Sequence, residues 1–149
     1  MKVSNLIAFA ASASAATIQS RQALNLGIGK FHADCIPHST YCSYDFTVTS
    51  DPVLPESHCN AFIQGPDQLP SISEGSCKDN AAYTWSVTDK ADGGLDFAIW
   101  YPFNSRSNIT YCHSIPASQI NTKNNGAVQT EHYRGPVNFT AAVFDCPSA

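Results

Sequence analysis

Polar and apolar residues alternate with a period of two over five stretches of this chain, and no stretch sustains a helical period. Residues 44–50 put Tyr44, Phe46 and Val48 on one face and Asp45, Thr47 and Thr49 on the other. Residues 82–88 do the same, with Trp85 and Val87 against Thr84, Ser86 and Thr88. The apolar face of residues 95–101 carries Leu95, Phe97, Ile99 and Tyr101, and that of residues 108–114 carries Ile109 and Tyr111. In residues 136–146 it carries Val137, Phe139, Ala141 and Val143. β-Branched and aromatic residues gathered on one face mark half-buried strands. Turn-forming clusters punctuate the runs, among them SDPVLPESH, GPDQLP and SEGSCKDN. Residues 121–128 read as a long polar loop in which Asn125-Gly126 favours positive φ. A short helix is expected in residues 22–27 or 116–121. The pattern predicts an all-β, single-domain fold: a disulfide-braced antiparallel β-sandwich or flattened β-barrel.

The first residues change the compartment. Lys2 precedes a short apolar run, residues 6–11, and then small residues that suit a signal-peptidase cut at Ala13-Ser14-Ala15 or Ser14-Ala15-Ala16. The run is shorter than the ~20 residues that span a bilayer. The expectation is a leader over residues 1–16, a partly disordered N-terminal segment over 17–34 and a β-rich secreted domain over 35–149. Loss of Lys2 takes the formal net charge from −4 to about −5. An acidic chain without basic clusters argues against nucleic acid and anionic membrane surfaces, both of which need a cationic footprint.

Six cysteines, Cys35, Cys42, Cys59, Cys77, Cys112 and Cys146, predict three disulfides in a secreted chain. Spacing does not select among their pairings. Cys59 and Cys77 bracket a polar stretch, CNAFIQGPDQLPSISEGSC, that reads as a loop closed by a bridge, worth about 3 kcal/mol on a loop-entropy account. No Cys-x-x-Cys and no histidine pair at ligand spacing points to a metal, and no cofactor is expected. Asn108 in NIT and Asn138 in NFT are sequons that fall on the polar phase of their strands.

The stretch TDKADGGLDFAIWYPF raises the question of carboxylate chemistry. Asp92-Gly93-Gly94 lies between two alternating runs, which is a hairpin signal. The spacing of Asp89, Asp92 and Asp96 fits neither a calcium loop nor a glycosidase pair. The turn reading explains these residues without chemistry. Trp100 does not fit the pattern, because it shares the polar phase of its strand; either the strand is covered on both sides there, or Trp100 with Tyr101 is a candidate contact surface. Gly-x-Ser-x-Gly and phosphate-loop patterns are missing. The best enzyme reading is a small secreted ribonuclease, for which Glu56, His58, Arg106, His113 and His132 supply the residue types without any spacing that brings them together.

The leader, the domain length, the cysteines and the β pattern give a layout that resembles small secreted fungal elicitors. These are the hypersensitive-response-inducing proteins, some of which belong to the major Alternaria allergen family. The stretches that carry the likeness are YCSYDFTVTS, the cysteine-closed CNAFIQGPDQLPSISEGSC, GGLDFAIWYPFNSRSNITYCHSIPASQI and YRGPVNF. The allergen family closes its domain with two neighbouring cysteines, whereas Cys112 and Cys146 lie far apart, so its disulfide map does not carry over. The resemblance implies a non-enzymatic protein on a β-barrel or β-sandwich that meets a plant host protein or cell-surface component. Three readings follow: a surface-acting elicitor, a small ribonuclease, and a carbohydrate- or small-ligand-binding module.

Overall fold

The computed structural model describes residues 24–65 and 67–147. Among them are ten strands: β1 (Asn25–Cys35), β2 (Tyr41–Thr49), β3 (Ser57–Gln64), β4 (Ile72–Ser76), β5 (Thr84–Asp89), β6 (Leu95–Asn104), β7 (Ser107–Ile115), β8 (Ile120–Asn125), β9 (Val128–Tyr133) and β10 (Phe139–Ala142). Neighbours run antiparallel in the order β3-β2-β1-β10-β7-β6-β5-β4. The two ends of that order meet. Cys59 of β3 bridges Cys77 just beyond β4, and the Lys78 N–H donates to the His58 carbonyl at 2.8 Å. Of the two architectures expected, the protein is therefore a nearly closed antiparallel barrel. The β8–β9 hairpin stands off the path, with His132 of β9 opposite Asp34 of β1.

The inward phase fills the barrel with rings, as a sheet of this size closes around side chains rather than around a lumen. Trp85, Tyr44, Phe31, Phe46 and Phe97 are all fully buried. Phe46 meets Trp85 and Phe97 edge-on at 5.0 and 5.3 Å, and Phe31 meets Tyr133 at 4.9 Å. Of these five rings, the two with polar tips find carbonyls: Tyr44 Oη donates to Pro70 O at 2.8 Å and Trp85 Nε1 to Ser76 O at 3.1 Å. Burial pushes the Tyr44 phenol far above its usual range, with the Asp89 and Glu131 carboxylates adding to the effect.

Three disulfides join Cys35 to Cys42, Cys59 to Cys77 and Cys112 to Cys146. The Cys59–Cys77 bridge is the one read from the sequence. Cys35 and Cys42 are direct cross-strand partners, and Cys146 returns the chain end to β7. Three bridges fit an oxidising setting. No helix among the described residues is long and apolar enough to cross a membrane.

Several expectations need correcting. The β domain begins before residue 35, because Asn25–Cys35 is an inner strand flanked by β2 and β10. Its alternation is broken by a bulge. Leu26 and Ile28 point inward, the phase slips at Gly29-Lys30, and Phe31, Ala33 and Cys35 continue it. Lys30 takes φ 53°, and its N–H is held by Asn138 Oδ1 at 3.2 Å. From residue 25 the segment 22–27 is strand, not helix; the expected leader and residues 22–23 lie outside the described residues. The Cys59–Cys77 stretch contains most of β3 and all of β4. Residues 121–128 are not a loop: they hold most of β8, the turn at Gly126 with φ 76° and the first residue of β9. The final run is shorter than expected: Val137 is exposed, and the chain leaves β10 in a 3-10 turn, Val143–Asp145. Residues 116–121 form only a 3-10 turn, Ala117–Gln119, before β8 starts.

Candidate functional site

The Asp92-Gly93-Gly94 segment is the β5–β6 turn. Asp92 Oδ1 accepts from the Gly94 N–H at 2.9 Å, and Gly93 takes φ 91°. Lys90 lies near Asp92 and Asp96 and donates to Ser114 Oγ at 3.1 Å. These carboxylates serve the hairpin.

The ribonuclease candidates do not converge. His58 on β3 and His132 on β9 are separated by β2 and β1, about 14 Å across the sheet. Arg106 sits in the exposed β6–β7 turn. His113 faces inward opposite Phe97, with its ring stacked on Phe139 at 4.1 Å. Burial lowers its pKa, against smaller upward pulls from a backbone hydrogen bond to Thr140 and from Asp145. His132 Nε2 accepts from Arg134 Nε at 2.9 Å, so that nitrogen is already occupied. Glu56 accepts from Lys30 Nζ at 3.0 Å, and this contact holds its carboxyl below the usual range.

The outer face of β2–β3 carries two groupings of side chains, of which only His58 is a sequence candidate. Tyr41 and Phe62 stack face to face, ring centroids 4.8 Å apart and planes 3° from parallel, at 40% and 61% exposure. Farther along the same face, His58 Nε2 contacts both oxygens of Asp45 at 2.9 and 3.0 Å. His32 stands beside Asp45 across the β1–β2 ladder. The clue to Phe62 was present: it shares its phase with Asn60 and Gln64, an aromatic among polar positions. Among the described residues no group of three or more His, Cys, Asp or Glu side chains is arranged to hold a metal.

Trp100 and Tyr101 part company. Tyr101 lies on the inward row, beyond the filled core, against Tyr83 at 5.1 Å, and is 40% exposed. Trp100 is half-buried on the outer face, between Thr84 of β5 and Thr110 of β7. Next to it the outer surface of β5–β6–β7 is hollowed into a groove of about 440 Å³. One wall of the groove is the chain end that the Cys112–Cys146 bridge holds down. Both sequon asparagines, Asn108 and Asn138, are exposed.

The chain matches no family model, no curated protein and no solved structure.

Proposed function

We propose that the protein is an extracellular elicitor of plant defence that acts by surface recognition and not by catalysis. The observation that carries this reading is the stacked Tyr41–Phe62 pair, displayed outward on a barrel whose interior is filled with rings. Exposed aromatics anchor protein contacts because they bury a large rigid area at little entropic cost. Phe62 lies inside the Cys59–Cys77 stretch, so the bridge braces the strand that presents it. The layout shared with fungal elicitors supports a plant host protein or cell-surface component as the partner. Oxidised protein infiltrated into leaves is expected to cause necrosis or defence responses. A Tyr41→Ala/Phe62→Ala double variant with intact circular dichroism, and reduced, heat-denatured protein, are expected to cause much less. Equal potency of all three would sink the reading.

A second reading has one observation in its favour, the His58–Asp45 pair beside Glu56 and Lys30. Incubation with RNA at mildly acidic and neutral pH tests it. Cleavage abolished by His58→Ala would replace the first reading with a ribonuclease; cleavage unaffected by that change, or none, removes it.

A further inference from the structure

We infer that the β5–β6–β7 groove is a sugar-binding surface, and that its occupant is the chain's own N-linked glycan, attached at Asn108 and stacked on Trp100. The inference rests on the extracellular reading, since only a chain that enters the secretory route meets the glycosylating machinery.

Register places the attachment point beside the ring. Trp100 is the direct partner of Thr110 and Pro102 of Asn108. Asn108 is thus the diagonal neighbour of Trp100 on the outer face, within about 7–8 Å and in reach of a large aromatic side chain. Thr110 is at once the third residue of the sequon and the cross-strand partner of the tryptophan.

The groove then leads away from Asn108. Its lining is more apolar than polar in exposed surface, and it sets the hydroxyls of Ser86 and Thr88 on β5 and of Thr110 and Ser114 on β7 around Ala98. From Asn108 to Ser114 the face runs about 20 Å, longer than the two N-acetylglucosamine residues that begin such a glycan. The charged groups on the lining are carboxylates, Asp96 and Asp145. The Lys90 ammonium stands against two lining residues, donating to Ser114 Oγ and lying 4.0 Å from Asp96, so it offsets part of that carboxylate's charge. An apolar surface edged with hydroxyls and two carboxylates suits the C–H faces and hydroxyls of a neutral sugar better than a phosphate or an acidic ligand. The half-buried indole lies outside the groove's lining, opposite Thr110 at its edge, and supplies an apolar plane for the C–H face of the first pyranose. Tethering at Asn108 gives the sugar an effective concentration that a free oligosaccharide of the same affinity lacks. Asn138 is differently employed, its carboxamide oxygen being committed to the β1 bulge.

Residues 1–149 produced in a secreting yeast test this. Glycopeptide mass spectrometry of the medium is expected to find Asn108 occupied. Enzymatic removal of the glycan is expected to shift tryptophan emission to the red and to increase acrylamide quenching. Trp85 is fully buried, so Trp100 is the reporter. Deglycosylation is also expected to lower the unfolding midpoint, and Trp100→Ala to erase both changes while leaving occupancy intact. Should Trp100→Ala fold poorly, Thr110→Ala removes the sequon and is expected to reproduce the deglycosylated spectrum. Secreted protein bare at Asn108 overturns the inference alone. So does an occupied Asn108 whose glycan leaves Trp100 emission and quenching unchanged. Protection of Trp100 by added cellohexaose or chitohexaose, but not by the attached glycan, overturns the assigned occupant. Retention inside the cell overturns the extracellular reading and this inference with it.

Discussion

At Gly75 the missing side chain is a packing requirement. The register of β4 slips between Ile72 and Gly75, setting Gly75 opposite Trp85, and a Cβ there would enter the indole ring. Gly75→Ala is therefore expected to cost about 1–3 kcal/mol, read as a lower urea midpoint at unchanged slope. His113 makes a second residue-scale prediction. Its folded pKa lies below the ordinary 6.5, so at pH values between the two the unfolded chain binds more protons. Its contribution is complete above pH 6.5 and lost as pH falls towards the depressed value. The unfolding midpoint should drop on acidification from pH 7 to pH 5, and less steeply in His113→Gln; parallel profiles would refute the assignment. The inward phase of Phe46, Trp85 and Phe97 was legible because each side chain partitions by its own apolarity. Gly75 was not, since a glycine carries no mark of what it faces.

At the scale of elements, β2, β5, β6 and β7 were legible because their alternation is unbroken. In β1 the bulge at Lys30 cancels the period over any window that spans it, and the Asn138 contact that holds the bulge is 108 residues away. β3 and β4 were hidden by polar composition and a Pro/Gly-bearing connection. The same reasoning covers the sites. Trp100 stands out as an aromatic on a polar phase, and Phe62 carries the same sign in a strand whose polar composition hides it. The face that joins Phe62 to Tyr41 comes from register, which composition does not encode. The β5–β6 turn was legible and gives a test. Gly93 sits at φ 91°, so Gly93→Ala is expected to lose about 1–2 kcal/mol by thermal or urea unfolding, while Asp92→Asn, which keeps the side-chain oxygen, loses less.

For the whole molecule, the seam between β3 and β4 depends on Cys59–Cys77, because the ladder there is a single bridge pair. Removing both thiols is expected to cost about 3 kcal/mol and to speed amide exchange in β3 and β4 more than in β6 and β7. Uniform acceleration along the chain would mean that the bridge acts only on the unfolded state. Among the described residues β8 has an open ladder edge, since it pairs with β9 alone. Its sequence, INTKNN, offers a lysine and three asparagines where an apolar strand would invite a neighbour. A second molecule finds no greasy ribbon there to extend, so concentrated protein should stay dispersed instead of polymerising into fibrils.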